Sequence, residues 1–417
     1  MIEKIEIMAP AGSFESLQAA IQAGAASIYF GVDQLNMRSR AADNFKIEEI
    51  ADIRERTKAA GVKCYLTLNT LLYEHDLTLM RRIMDEAKKQ NVDAAILQDI
   101  AAIQYASEIG LPVHASTQLS ISNYESVKFY SRFADTIVLA REVDIMMMKN
   151  ICEKIKTENL KGPAGNPVRI EVFVHGALCI AQSGRCQMSL LQNNTSAQRG
   201  ACLQECRKKY KITDEETGKE MILDNQYVLS PKDLCCLPFL DKLIDSGVSV
   251  LKIEGRGRAP DYVFKVVSNY KKAVELIEQN KFTKEAIDEM MKDLATVYNR
   301  GFSDGYYLGK TLPEWSGYSG NKSTEERVYV GIVNHYFDKA KIAELNIQAH
   351  EIKKGDRLAI MGKNTGYITT QISEMKKDDT FVEDSGKKCM ITIPLEEKIR
   401  KNDKIYVIKQ RNLNVLA

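Results

Sequence analysis

The chain has 417 residues, of which 44% are hydrophobic and 27% charged, with a formal net charge of +2. That length predicts two domains, and the near-neutral charge excludes a global pull toward polyanions, so any nucleic-acid contact must come from a local patch. There is no run of about eighteen apolar residues, and Glu3 and Glu6 fall where a secretory leader would need an apolar core, so a cytoplasmic protein without a membrane partner is expected.

Short apolar runs alternate with helix-period segments from the start. Ile5 to Pro10 reads as a buried strand; Ser13 then caps a helix with Leu17, Ala20 and Ile21 on one face, and Gly24 stops it. A second strand covers 26–30, a helix 47–60 and a third strand 62–68, followed by a helix whose Met80, Ile83, Met84 and Ala87 share one face. Strands are predicted at 93–98, 112–117, 135–140 and 169–174, with helices between them at 101–109, 123–132 and 143–157. After a cysteine-rich stretch come a helix at 238–246, a strand at 248–254, and a last helix with Val263, Val266, Val267, Tyr270, Val274 and Ile277 on one face.

Repeated strand–helix alternation implies a parallel sheet, and eight such units close naturally into a (β/α)8 barrel of the TIM type. An open doubly wound sheet is the alternative, but no G-x-G-x-x-G follows the first strand. The predicted organisation is therefore a barrel over 1–280 with a cysteine-rich insertion at 176–236 after strand seven. A helical and glycine-rich connector follows over 281–324. From 325 to 417 short alternating runs such as Val328–Val333 and Lys404–Ile408 predict a small antiparallel β-barrel, whose turn spacing resembles the second-domain barrel of translation factors.

Six of the nine cysteines, Cys179, Cys186, Cys202, Cys206, Cys235 and Cys236, fall in or just after that insertion. In a reducing compartment such clustering points to metal ligands or a reactive thiol rather than disulfides. Zinc sites favour C-x2-C to C-x4-C pairs, whereas the spacings here are a C-x6-C, a C-x3-C and an adjacent pair, and an iron–sulfur cluster tolerates such irregular spacing. Cys64, Cys152 and Cys389 stand apart and read as small buried hydrophobes. His175 lies four residues before Cys179, so a cysteine–histidine peptidase dyad is also open; H-E-x-x-H and G-x-S-x-G are absent. Polar residues at predicted strand ends, among them Asn69, His114, Ser116, Gln118 and Arg141, fall where a barrel enzyme keeps its catalytic groups.

Glu171, Phe173, Gly176, Ala177, Leu178, Cys179, Gly184, Cys186, Met188 and Ser189 fit the signature E-x-F-x-x-G-small-apolar-C-x4-G-x-C-x-apolar-S. On that motif the chain resembles the collagenase-like peptidases, family thirty-two among peptidases of unknown catalytic type. The resemblance extends from Ala9-Pro10-Ala11-Gly12 to Lys252-Ile253-Glu254-Gly255-Arg256. It implies an oxygen-independent hydroxylase holding a 4Fe-4S cluster, with prephenate as hydroxyl source and RNA as target. The C-terminal β-domain favours the tRNA 5-hydroxyuridine modification proteins within the family, with a paralogous member as a further partner. Carried onto this sequence, the implied cluster ligands are Cys179, Cys186, Cys202 and Cys235, with Cys206 and Cys236 as unassigned extras.

Beside that resemblance, the basic residues Arg199, Arg207, Lys208 and Lys209 are expected to meet phosphates. Lys252, Arg256 and Arg258, at and after the end of strand eight, are expected to receive a dicarboxylate such as prephenate, with Glu254, His114 and His175 as catalytic candidates. Three readings compete: an iron–sulfur RNA hydroxylase, a peptidase using Cys179 and His175 or an unidentified mechanism, and a noncatalytic RNA-binding protein with a structural cluster.

Overall fold

Near-continuous burial of the short strands on both faces is what a parallel sheet enclosed by helices requires, and the computed structural model shows that arrangement. It describes residues 5–40, 43–211, 213–219, 227, 229–310, 314–317 and 320–411; the outermost residues of both expected domains lie outside this set. Strands β1 (Glu6–Pro10), β2 (Ser27–Phe30), β3 (Lys63–Leu68), β4 (Ala94–Leu97), β5 (Val113–Ala115), β6 (Thr136–Val138) and β7 (Arg169–Gly176) pair in sequence order, each parallel to the next. A short β8 (Asp233–Cys235) runs antiparallel beside β7, and β9 (Val250–Ile253) pairs with both β7 and β1. The eight strands β1 to β7 and β9 thus form a closed parallel barrel.

Helices α1 (Phe14–Gln22), α2 (Ile50–Ala59), α3 (Leu77–Lys89), α4 (Ile100–Ile109), α5 (Tyr124–Tyr130) and α6 (Ile145–Thr157) follow the first six strands. The short α7 (Met188–Asn193) lies in the insertion, and α8 (Leu240–Asp245), α9 (Pro260–Glu278) and α10 (Lys284–Ala295) complete the first domain. Their starts have local causes: the side chains of Ser13, Asp99, Asn123 and Asp144 each accept a hydrogen bond from a backbone N–H of the first turn. The main core lies between the barrel and these helices, with residues such as Leu17, Ile28, Met84 and Val266. Inside the barrel the filling is smaller, built on Met8, Tyr29, Tyr65, Ala94, Ile96 and Val250. Charged pairs fill the remainder of that interior.

Residues beyond 325 form a separate eight-stranded antiparallel sheet, from Glu325–Phe337 to Lys404–Gln410, around its own core of Val330, Leu345, Ile360, Ile391 and Ile405. Ala359, Met361 and Tyr367 of this domain pack on Ala19 of α1 and Phe264 of α9. Gln22 fixes the contact, donating to the Thr365 carbonyl at 2.6 Å and accepting from the Tyr367 N–H at 3.0 Å. Among the described residues no helix is long and apolar enough to cross a membrane.

Candidate active site at the barrel mouth

The C-terminal strand ends open into a pocket of about 150 Å3, and the cysteine-rich insertion forms one wall of it. The insertion leaves β7 at Gly176, whose backbone has φ +107° and where a Cβ would stand 2.6 Å from the Glu254 carbonyl oxygen, so only glycine lets the strand end approach β9 so closely. It is tied down again at Gly200, at φ +83°, which packs against the Asn36 carbonyl and accepts hydrogen bonds from the Arg40 N–H and the Ser39 hydroxyl. Arg199 completes the docking. Its guanidinium grips both Asp76 oxygens, at 2.6 and 3.2 Å, and lies 4.3 Å over the Tyr73 ring. That pairing holds the Asp76 carboxyl below its usual range.

Four cysteines face this pocket: Cys179, Cys186, Cys202 and Cys206. The thiol of Cys206 is pushed up to about 11, first by burial, opposed by the adjacent Arg207 and reinforced by Cys179, Cys202 and Cys186. Here the structure departs from the expected ligand set. Cys235 is on β8, paired with His175 of β7, and its sulfur sits 3.7 Å from the Met291 sulfur and within 3.9 Å of the Tyr270 hydroxyl. It is buried under α9 and α10, outside the pocket, and Cys236 beside it is fully enclosed. Pairing of β8 with β7 therefore turns the Lys-Asp-Leu-Cys segment into the wall behind the site, and Cys206 takes the place beside the other three.

By donor type alone, the four thiols that face the pocket match the four thiolates an iron–sulfur cluster takes. Among the described residues no three His, Cys, Asp or Glu side chains converge closely enough to hold one ion. A single tetrahedral ion needs its sulfurs about 3.8 Å apart, from metal–sulfur bonds of about 2.3 Å. A four-iron cluster takes one thiolate per iron.

The same pocket is also cationic. Arg38, Arg141, Lys252 and Arg256 line the pocket, against two carboxylates that pair with them. Glu254 accepts from Arg38 at 2.8 Å; burial raises its pKa, but Arg38, Arg258 and Arg141 outweigh that and hold it at about 2. Glu171, fully buried just below, accepts from Lys252 at 2.6 Å and lies 3.1 Å from the His114 Nδ1. Burial again opposes ionisation, and Lys252 and His114 together bring its pKa to about 2. Arg256 donates to the Asn36 side-chain oxygen at 2.9 Å and to Thr67 Oγ1 at 2.8 Å. Burial lowers Arg256 to about 10, which still leaves it charged at neutral pH. Arg141 donates to the Ala177 carbonyl at 2.7 Å and lies 4.1 Å over the Phe173 ring, while its Nε is buried with no partner. A surplus of cations with an orphaned buried donor is an anion-binding arrangement.

The other expected site residues are placed as follows. Arg258 turns away from the pocket and stacks 3.5 Å over the Tyr298 ring, so it reaches Glu254 only through its field. His114 lies in the barrel interior below the pocket, 4.4 Å from the Tyr65 ring centre. His175 does not reach the pocket either: a register shift between Phe173 and His175 reverses the strand's in–out alternation. Its ring is enclosed by Tyr262, Tyr270 and Phe302, and burial drops its pKa to about 3. A base for Cys179 is thus not where the dyad reading requires it. Arg207 points inward, donating to the Leu178 carbonyl at 2.7 Å and to Ser230 Oγ at 3.0 Å, and Lys208 pairs with Glu205. Lys209 is exposed, 5.6 Å over the Tyr227 ring. Reading the sequence as a basic phosphate-binding stretch missed that Arg199 and Arg207 serve the insertion's own packing. Tyr29 and Arg38 were missed altogether. Tyr29, which lines the pocket, is the next-to-last residue of a strand that reads as apolar, and Arg38 sits in an irregular loop where no periodicity marks it.

A closed eight-stranded barrel with thiols and a cationic pocket over its C-terminal strand ends defines a barrel enzyme. The chain belongs to peptidase family U32, whose family model matches residues 12–317. It is similar to a protein named collagenase from Porphyromonas gingivalis, 48% identical over 98% of this chain and 99% of that one. A tRNA hydroxylation protein of Bacillus subtilis is 32% identical over 90% of this chain and 88% of that one. A 23S rRNA 5-hydroxycytidine synthase of Escherichia coli is 34% identical over 66% of this chain and 40% of that longer protein.

Proposed function

We propose that this protein is an RNA hydroxylase that acts on a pyrimidine base, with tRNA as the first candidate substrate, a dicarboxylate of the prephenate class as hydroxyl source and an external acceptor for the two electrons that C–H hydroxylation releases. The observation that carries the reading is the composition of one pocket, which brings four thiols together with Arg38, Arg141, Lys252 and Arg256, a surplus of cations over the carboxylates that pair with them. Similarity to the two RNA-hydroxylating relatives supports it. Cys179, Cys186, Cys202 and Cys206 would hold a 4Fe-4S cluster, and when bound it would supply electron-transfer or Lewis-acid chemistry in that pocket.

The chain's own residues prepare the rest. Lys252 is fixed by Glu171, and Arg256 by Asn36 and Thr67, so neither must reorganise when an anion arrives. Arg141 offers its unpartnered Nε, and Arg38, held by Glu254, closes the loop side. A dianion would balance the charge of these groups. Asn69, whose amide nitrogen is 3.2 Å from the Gln118 side-chain oxygen, and Ser116 provide neutral hydrogen-bonding groups of the kind that read a base edge. Arg207 lies at the thiol wall and offsets negative charge there.

Nucleoside mass spectrometry of tRNA and ribosomal RNA from cells lacking the protein tests this reading, with loss of one hydroxylated pyrimidine as the expected result. Unchanged nucleosides in both RNA pools would count against it. The collagenase name of the similar Porphyromonas gingivalis protein keeps proteolysis as a second reading, and cleavage of denatured collagen that survives Cys179→Ala but not a general loss of fold would separate it from a thiol mechanism.

A further inference from the structure

A second and larger concavity, about 1130 Å3, runs between the barrel mouth and the C-terminal domain. It shares one residue with the cysteine pocket, Arg256. Exposed Arg40 from the barrel and exposed Lys363, Arg400, Lys401 and Lys404 from the C-terminal domain line it. None of these five makes an ion pair among the described residues. The acidic residues in the cleft are fewer: Glu15, Asp43 and Asp403. Asp403 is also occupied internally, accepting from the Thr365 hydroxyl and from the Arg400 N–H.

In a chain of net charge +2 this concentration of unpaired cations is a local feature. The start of α9 also opens here. Ala259 caps the nineteen-residue helix without a side-chain hydrogen bond, and Pro260 follows it, so the positive end of the helix faces the cleft. The walls are preformed, since Gln22 and the packing of Met361 and Tyr367 fix one domain on the other, and Arg327 pairs with Asp261 at 3.1 Å.

Size separates the roles of the two concavities. About 150 Å3 is the scale of a cavity that takes one aromatic ring, so a polynucleotide chain must stay outside the pocket while a single base enters. The basic stretch at 207–209 does not offer a path, because Arg207 is turned inward and Lys208 is paired with Glu205. We propose that the interdomain cleft is the track for the sugar–phosphate backbone of a single-stranded RNA segment, which passes Arg256 and delivers one base to the cysteine pocket. This inference rests on the RNA reading above.

The triple variant Lys363→Gln/Lys401→Gln/Lys404→Gln tests it, because these three side chains are exposed and donate no hydrogen bond among the described residues. Binding of a short oligouridylate to the full chain is measured over a range of salt. Each phosphate that is no longer neutralised lowers the log–log salt slope on a single strand by about 0.7, so the variant's slope should be smaller by about two, with affinity down at least about tenfold at physiological salt. Lys208→Gln/Lys209→Gln is the comparison and should leave the slope unchanged. An unchanged slope in the triple variant, with wild-type protein binding the oligonucleotide, overturns the track and leaves the RNA reading standing. Failure of the wild-type protein to bind either oligouridylate or bulk tRNA overturns both.

Discussion

Glu171→Gln keeps the side chain's shape and removes the charge that holds Lys252 at the pocket floor. Glu171 is fully buried, with Lys252 on one oxygen at 2.6 Å and His114 on the other at 3.1 Å. The drop of its pKa from 4.5 to about 2, at about 1.4 kcal/mol per pH unit, corresponds to about 3 kcal/mol of folding stability. Removing one partner of a buried ion pair costs about 3–5 kcal/mol by a separate route, because the ammonium is left unpaired. Burial shifts Lys252 against the pair, lowering its pKa despite Glu171, so about 3 kcal/mol is the upper figure for the pair as a whole. The sign is fixed by the depressed carboxyl: its contribution is complete above the unfolded value near 4.5 and is lost as pH falls toward 2. Urea unfolding of wild type and variant at neutral pH should therefore differ by up to about 3 kcal/mol, and the gap should narrow in steps from pH 5 to 3. The double variant Glu171→Gln/Lys252→Met should recover most of the loss, since no buried charge then lacks a partner. A cost under about 1 kcal/mol at neutral pH, or no recovery in the double variant, would refute an ionised pair at this position.

Further outcomes follow from the same geometry. Cys206→Ala should strip most of the iron from anaerobically purified protein. Cys235→Ala should keep the iron and lose only about 1–2 kcal/mol for a small cavity beside Tyr270 and Met291; the reverse pattern in iron analysis would restore Cys235 as the ligand. Arg256→Lys keeps a cation but cannot span Asn36, Thr67 and an incoming carboxylate. Hydroxylation should fall at least about tenfold with iron content intact, and excess dicarboxylate should recover part of it; wild-type rates would remove Arg256 from anion binding. Arg207→Ala should destabilise the fold by about 2 kcal/mol by stripping donors from the Leu178 carbonyl and Ser230, while the salt slope of RNA binding stays unchanged; a fall in that slope would return Arg207 to phosphate contact.

The barrel was legible because parallel strands buried on both faces read as unbroken apolar runs, and the cap at Ser13 stands where the first helix begins. Lys252, Glu254 and Arg256 were singled out from the sequence because charge at or next to a barrel strand has no packing role to explain it, whereas Glu171 entered only as a position of the family signature and its pairing with Lys252 was not foreseen. Two failures share one cause, the irregular end of β7. Its register shift turns His175 outward, and its antiparallel pairing with β8 carries Cys235 behind the wall. Cysteine spacing along a chain holds no information about which side of a strand the thiol faces. For the basic residues of the insertion, composition was read as a surface property, yet Arg199 and Arg207 are spent on Asp76 and on backbone carbonyls. Arg38 belongs to a loop whose position is set by contact with Gly200, a long-range pairing that local patterns do not encode.

The central claim is an iron-dependent hydroxylation of RNA at the barrel mouth. The test uses anaerobic wild-type protein, undermodified RNA from the deletion strain, a prephenate-class dicarboxylate and an added electron acceptor, with nucleosides read by mass spectrometry. The account predicts a hydroxylated pyrimidine with iron-loaded wild type and with Cys235→Ala, and none with Cys206→Ala. Equal product from iron-free protein, or no product in any reaction while denatured collagen is cleaved, would contradict it.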